Sequence, residues 1–322
     1  MTKILGSFSP ISRAVFLRGA AALAATPLLP ALPHAAGAAA TLAEVAPGVF
    51  VHQGRHALFG PDNRGDVSNC GFVVGGEAVA VIDTGGSARF GEDLRASVRA
   101  ATDRPIRYVV NTHMHPDHVF GNAAFEADKP AFIGHHKLGR ALAARADRYL
   151  ALNRELMGEE AFAGTRIVLP TMNVNVRTEL DLGGRTLVLE AHPTAHTDND
   201  LTVHDTATST LFLGDLLFVD HVPTLDGSIR GWLALIPELR RHPAARAVPG
   251  HGPAAVAWPA AIDPLERYLG RVATDVRALI KAGKTLAEAA RSAGLAERDA
   301  WQLFDEYHAR NVSAAFAELE WE

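Results

Sequence analysis

The chain has a single cysteine, Cys70, in 322 residues, so no intrachain disulfide can form and cysteine usage leaves the redox compartment undecided. It also lacks an excess of basic residues: 31 Lys and Arg stand against 36 Asp and Glu, a formal net charge of −5. Nucleic acids and anionic membranes are recognised by basic stripes, so neither is the expected partner. Long apolar runs are missing as well. The stretch from Gly19 to Leu29 is interrupted by Pro27 and followed by Pro30 and Pro33, far short of the ~20 residues a membrane-spanning helix needs. There is no short internal repeat, no low-complexity tract after residue 40 and no obvious linker, so residues 41–322 are expected to form one domain. A content of 48% hydrophobic and 21% charged residues suits an ordinary globular core rather than a disordered chain. The residue present in excess is histidine, with 15 copies, and the chemistry is sought there.

Residues 1–40 have the layout of an export signal: basic residues Lys3, Arg13 and Arg18, the apolar run, then small residues from Ala35 to Ala40. The stretch Ser12-Arg13-Ala14-Val15-Phe16-Leu17-Arg18 resembles the bacterial twin-arginine motif, except that Ala14 stands where the second arginine belongs. Cleavage near Thr41 is expected, with the mature protein periplasmic or secreted.

Beyond residue 41, short apolar runs alternate with helical periodicity, the pattern of a layered α/β or α+β domain. Gly71–Val74 and Ala78–Ile82 read as buried strands joined by a Gly75-Gly76-Glu77 hairpin. In residues 88–101, Phe90, Leu94, Val98 and Ala101 recur at helical spacing, and Ile106–Val110 reads as a strand. A long helix is expected from Lys137 to Met157, stopped by Gly158. Strands are expected at Leu180–Leu182, Thr186–Glu190, Leu201–His204 and Leu211–Leu213. Asp263-Pro264-Leu265-Glu266 reads as a helix start with Asp263 as N-cap. Thr285-Leu286-Ala287-Glu288 reads as a second start, ended by Gly294. These terminal helices read as packing elements without chemistry.

Directly after the Ile106–Val110 strand comes Thr112-His113-Met114-His115-Pro116-Asp117-His118, four metal-capable side chains in six positions. Imidazole nitrogen and carboxylate oxygen are the ligands that Zn²⁺ or Fe²⁺ accepts. At the end of a buried strand, His113 and His115 could serve one ion while Asp117 and His118 reach a second. One loop cannot complete such sites. The remaining ligands are sought at other strand exits, where His196, Asp215 and His251 each stand beside a glycine or in a short polar turn.

This series resembles the metallo-β-lactamase fold superfamily from about Val45 to Pro253. Asp83 in Val81-Ile82-Asp83-Thr84-Gly85 matches the first motif, His113 to His118 the signature, and His196, Asp215 and His251 the motifs that follow, in order. The resemblance implies a four-layer αββα sandwich with C-terminal helices over 263–322 and two Zn²⁺ ions, or iron, at one edge. It assigns His113, His115 and His196 to the first metal, Asp117, His118 and His251 to the second, and Asp215 to both. Asp83 would orient the signature loop by hydrogen bonds. Lactamases proper usually carry cysteine at the position of Asp215, so antibiotic hydrolysis is not favoured; Cys70, upstream of the first motif, reads as a small buried hydrophobe. His52-Gln53-Gly54-Arg55-His56, Asn63 to Asp66, Thr197 to Leu201, and the segment Gly214 to Trp232 are similar to exported quinoprotein relay system zinc metallohydrolases. That likeness implies a periplasmic quinoprotein or cytochrome partner.

Two zinc ions would lower the pKa of a shared water toward about 7 and give a hydroxide nucleophile for an ester, thioester or lactone. Asp117 is the candidate proton shuttle as well as a ligand. The loop from Arg55 to Val67 and the segment from Lys137 to Arg166 are expected to cover the groove. Phe59, His221 and Arg230 are the candidate substrate contacts, Arg230 because a guanidinium can fork onto a carboxylate; Trp232 reads as core. The competing readings are a mononuclear iron persulfide-dioxygenase-like oxidoreductase, a weak β-lactamase and a non-catalytic metal-binding partner.

Overall fold

Residues 40–322 are described by a computed structural model; the export signal expected ahead of them lies outside the described residues. Apolar side chains on both faces of consecutive short strands require cover from two sides, and two sheets meet that requirement. The first contains, in order, β1 (Leu42–Ala46), β2 (Val49–His52), β3 (Cys70–Val74), β4 (Val79–Ile82), β5 (Ile106–Val110), β6 (Ala131–His135) and β7 (Met172–Val174). The second runs from β8 (Arg177–Asp181) through β9 (Thr186–Ala191), β10 (Leu201–Asp205), β11 (Thr210–Phe218) and β12 (Arg246–His251) to β13 (Val256–Ala257). Pairing is parallel at β4–β5, β5–β6, β6–β7 and β11–β12, and antiparallel elsewhere.

The period-two alternation sorts the side chains. Val73, Ala80, Ile82 and Val110 of the first sheet meet Leu187, Leu189, Val203 and Phe212 of the second in a core between the sheets. Phe72, Val79, Val81 and Val109 point the other way and pack with Phe90, Leu94 and Val98 of helix α1 (Ala88–Ala101). Cys70 is buried in that same apolar layer, and burial pushes its thiol well above the ordinary range, as a structural rather than reactive cysteine requires. Ser87 caps α1 by accepting the Phe90 N–H at 3.1 Å.

Four further helices complete the outer layers, after the single turn α2 (Pro116–Val119) inside the signature loop: α3 (Leu138–Phe162), α4 (Ile229–Arg240), α5 (Asp263–Lys281) and α7 (Phe304–Leu319), with the short α6 (Leu286–Ala290) before the last. Leu211, Leu213, Trp232, Ile236, Tyr268, Val272 and Phe316 form the core on the outer face of the second sheet; Trp232 is fully buried, as expected. The result is the α/β sandwich of four layers.

Three helix boundaries differ from expectation. Gly158 does leave the helical conformation (φ 78°), but the chain resumes its turn and α3 continues to Phe162. Asp263 is the first helical residue of α5 rather than its cap, because its carboxylate and that of Glu266 turn outward onto Arg240. Thr285 and Glu288 form the reciprocal capping box, yet α6 ends at Ala290 and Gly294 opens the next turn.

Opposite the end that will carry the site, the two sheets are tied by a buried ion pair. Arg185 forks onto Asp205 at 2.9 and 2.6 Å and also donates to the carbonyls of Pro47 and Val74 in the first sheet. Burial alone would raise the Asp205 carboxyl, but the bonds from Arg185 and Thr208 outweigh it and hold the group below the ordinary range. A carboxyl depressed on folding contributes stability that is fully present above its unfolded pKa of about 3.9 and is lost as pH falls through the lower folded value. Arg185→Ala strands the buried carboxylate and is expected to destabilise the fold by about 3–5 kcal/mol at pH 7. Urea unfolding at pH 7 and near pH 3 checks this: the gap between variant and wild type should narrow at the lower pH, and a gap independent of pH would refute the electrostatic account.

Candidate metal centre

The carboxyl end of each strand that matters lies at the same edge of the sandwich. Asp83 follows β4, the loop Asn111–His118 follows β5, His196 lies in the turn after β9, and His251 is the last residue of β12. Asp215 differs from expectation in one respect: β11 does not stop before it but continues to Phe218, with its pairing to β12 irregular between Phe212 and Phe218. That irregularity brings β12 against the carboxylate. A Cβ on Gly250 would lie 1.9 Å from Asp215 Oδ1, so only glycine leaves room for the acid there.

The structure brings the seven expected ligands into two adjoining groups, His113, His115, His196 and Asp215 in one and Asp117, His118 and His251 in the other. In the first group His115 Nδ1 lies 3.1 Å from His113 Nε2 and 3.0 Å from His196 Nε2. Asp215 Oδ2 is 3.3 Å from His196 Nε2 and 3.7 Å from His113 Nε2. Its other oxygen, Oδ1, is 3.1 Å from His118 Nε2 and 3.5 Å from His251 Nε2, and Asp117 Oδ2 is 3.4 and 3.2 Å from the same two nitrogens. Ligands at ~2.0–2.1 Å in a tetrahedron stand roughly 3.3–3.4 Å apart, and these separations bracket that spacing.

The outward ring nitrogens decide what the inward ones can do. His118 Nδ1 donates to Asp83 Oδ2 at 2.8 Å, His196 Nδ1 to the Thr224 carbonyl at 2.8 Å, and His251 Nδ1 to the Val67 carbonyl at 2.8 Å. His115 uses Nε2 instead, donating to Asp226 Oδ2 at 3.0 Å. The Thr112 hydroxyl gives its proton to Asp83 Oδ2 and is left to accept from His113 Nδ1 at 3.1 Å. In each of the five rings the outer nitrogen is engaged as a donor, so the inner nitrogen is the one left to turn a lone pair to the centre when a cation displaces any proton there, the arrangement that a metal-binding histidine requires. His118 Nε2 and Asp215 Oδ1 are buried with no hydrogen-bond partner, so the cluster is unsatisfied by protein alone and fits a cation at both groups.

Charge points the same way. Burial would lower the pKa of His118 and His251, but Asp117 and Asp215 more than reverse it; His118 is pushed well up and His251 to about 9. Asp117 and Asp215 are held well below the usual carboxylate range by the facing imidazoles, against their burial. His113 and His196 move down through burial, His196 to about 3. The second group therefore draws positive charge, while His113 and His196 of the first stay neutral and ligand-ready.

The groups open into a cavity of ≈ 270 Å³ lined by the loop before β3 (Phe59, Val67), by α3 (Tyr149, Leu152, Leu156), by His221 and by α7 (Tyr307, Arg310). Phe59 and His221 are thus at the cavity, and both segments expected to cover the groove do so. Arg230 is not: it is exposed at the start of α4, with Nε 3.4 Å from Glu322. The cavity's guanidinium belongs instead to Arg310. With Tyr307 beside it, and with Asn311 fixing the Pro223 carbonyl and the Leu225 N–H at 2.5 and 2.9 Å, α7, a helix that the sequence reading did not single out within the extension over 263–322, builds the site. Asp226 and Thr224 were also missed. Asp226 stands in the Leu225-Asp226-Gly227 turn, and a carboxylate in a glycine turn among the matching stretches was the available signal.

Residues 63–251 match the family model of the metallo-beta-lactamase superfamily. Among curated proteins the chain is similar to a linear primary-alkylsulfatase from a Pseudomonas species, 36% identical over 58 residues, which are 18% of this chain and 11% of that protein. The chain therefore matches only a small fraction of that relative's length. Among solved structures it resembles a metallo-beta-lactamase from Pontibacter korlensis (TM-score 0.58, 20% identity, 71% of this chain and 98% of the other). It also resembles TMB-1 (0.55, 18%, 72% and 97%) and a double mutant of the sec-alkyl sulfatase PisA1 (0.64, 16%, 86% and 50%). At these identities the structural likenesses establish the fold.

Proposed function

The chain belongs to the metallo-beta-lactamase superfamily, and from that premise we propose that it is an exported hydrolase that holds two zinc ions and cleaves an ester, thioester or lactone. The observation that carries the proposal is the set of five histidines whose outer ring nitrogens are all engaged by acceptors, which leaves the inner nitrogens to the centre, with Asp215 facing both groups. His113, His115, His196 and Asp215 would hold one ion, and Asp117, His118, His251 and Asp215 the other. Bound there, two such ions supply an acidified water at neutral pH and polarise the scissile carbonyl.

The remaining work falls to side chains at the cavity. Asp117 is anchored by Ser68, whose hydroxyl donates to the Asp117 carbonyl at 2.5 Å. Its carboxylate lines the cavity, where it can accept a proton from the attacking water and return it to the leaving group. His221 donates Nδ1–H to the Val222 carbonyl at 2.6 Å, which leaves Nε2 to accept a hydrogen bond from substrate. Leu152 and Leu156, about half exposed on α3, offer an apolar wall and exclude water from one side of the reacting bond.

Export rests on the sequence of residues 1–40, and a station beside a periplasmic quinoprotein or its cytochrome rests on the stretches between His52 and Trp232. The alkylsulfatase likeness adds sulfate esters to the bonds to be tested. Protein purified without added metal is expected to contain close to two zinc ions per chain and to turn over at least one bond type in a panel of esters, thioesters, lactones, alkyl sulfates and β-lactams. One iron per chain with oxygen uptake on a persulfide would replace this reading with an oxidoreductase.

A further inference from the structure

We infer that Arg310 selects substrates that carry a second, anionic group remote from the bond that is cleaved. The inference rests on the hydrolase reading for what the substrate is, though not for whether an anion binds. Among the residues lining the cavity, Arg310 is the only Lys or Arg. Its side chain is 61% exposed, and its ion pair is a loose one, Nη2 to Asp226 Oδ1 at 3.5 Å. Some arginines of this chain are tightly engaged, Arg95 forking onto Asp128 at 2.5 and 3.0 Å and Arg267 onto Glu297 at 3.0 Å; others pair loosely, Arg89 with Glu92 and Arg271 with Asp275 at 3.7 Å, and Arg310 differs from these in lining the cavity. A guanidinium has five donors in a planar fork that matches a carboxylate or sulfate, and at Arg310 that fork is not used up by the protein.

The rest of the cavity argues for where the anion sits. Asp117 and Asp215 lie at the metal end, so an anion there would meet carboxylates unless ions were bound. The same cavity is lined by Phe59, Tyr149, Leu152, Leu156 and Tyr307, walls that suit a hydrocarbon spacer. Asp226 has a double task. One oxygen holds His115 Nε2 and the other faces Arg310, so Arg310 is fixed to the same frame as the ligands without being a ligand itself. The substrate class is therefore a monoester or thioester of an α,ω-bifunctional acid, or a lactone with a free acidic arm, of which the distal anion is read by Arg310.

Calorimetric binding to the metal-loaded protein tests this with α,ω-dicarboxylates of four to ten carbons against monocarboxylates of the same lengths. Both series offer one carboxylate to the centre, and only the first has another for Arg310. At its best length the dicarboxylate is expected to bind about tenfold more tightly than its monocarboxylate, with Arg310→Gln abolishing that preference and Arg310→Lys keeping part of it. The monocarboxylates should bind wild type and Arg310→Gln alike. Absence of the preference in wild type, its survival in Arg310→Gln, or an equal fall for both series would overturn the inference, the last by reducing Arg310 to a prop for Asp226. Kinetics with 4-nitrophenyl hexanoate, mono-4-nitrophenyl adipate and the wider panel of thioesters, lactones, alkyl sulfates and β-lactams report separately on the hydrolase reading: no turnover of any of them, with the binding preference intact, would sink that reading and leave the anion site standing.

Discussion

Asp215→Ala is expected to leave a folded protein that has lost tight binding at both metal groups and at least about 10³-fold in kcat/KM, roughly 4 kcal/mol of barrier. Asp215 is the side chain whose two oxygens face different groups, Oδ2 toward His113 and His196 and Oδ1 toward His118 and His251. Its removal takes one ligand from each and uncouples the two. The fold should not suffer in the same measure. In metal-free protein the carboxylate is a buried charge paired with imidazoles, and without it His118 and His251 can shed their extra protons and stay buried as neutral rings, which limits the cost that stranding a permanent charge would carry. The discriminating measurement is thus thermal unfolding with and without added zinc. Wild type should gain stability with zinc as binding to the native state dictates, and the variant should gain little from a similar metal-free baseline. A variant that binds two ions as wild type does would refute the shared role of Asp215; one that simply fails to fold would show that the cluster is a structural core element instead.

The parts of this architecture that could be read from the sequence are those in which several residues carry the message together. His113 to His118 put four metal-capable side chains into six positions, and the apolar runs at Ile106–Val110 and Thr186–Glu190 announced strands whose ends would bear polar loops. Capping at Thr285 was legible because the box is local: Thr285 and Glu288 bond each other, and nothing else competes. Asp263 misled for the opposite reason, since Arg240 from another element takes its carboxylate. Arg230 and Arg310 show the same limit at the site. Both are exposed arginines on helices, and nothing within ten residues of either tells which helix end faces the cavity. That is decided by α7 packing back onto the outer layer of the second sheet and by Asn311 clasping residues 223–225, contacts almost ninety residues apart in the chain. Asp226 was hidden in a similar way: its meaning comes from His115, which the sequence places far upstream. Ligands are recognisable by type, whereas the groups that aim them are ordinary residues made special by distant partners.

Asp83→Asn should separate the two metal groups more cleanly than any change to a ligand. Asp83 is buried and held at φ 56°, an unfavourable conformation for a residue with a side chain. Its Oδ1 accepts from the Thr112 N–H at 2.8 Å, and its Oδ2 accepts from both the Thr112 hydroxyl at 2.7 Å and His118 Nδ1 at 2.8 Å. All the groups around it are donors. An amide of the same shape has one acceptor and one donor, so its NH₂ must face protons wherever it turns. The backbone N–H of Thr112 cannot reverse its role, which directs the NH₂ toward the hydroxyl and the ring. The hydroxyl can rotate. His118 can accept at Nδ1 only by moving its proton to Nε2, the atom that faces Asp215 and Asp117. That tautomer cannot ligate. The expected result is one tightly bound zinc per chain in place of two, second-ion affinity lower by about 10–100-fold or more, and a stability loss of only about 1–3 kcal/mol from the impaired hydrogen bonds. Metal titration gives the stoichiometry, and ¹⁵N chemical shifts of the histidine rings identify the proton-bearing nitrogen of His118. Two ions bound with wild-type affinity, or His118 still protonated at Nδ1, would show that the acid at position 83 serves the backbone turn and does not set the ligand's tautomer.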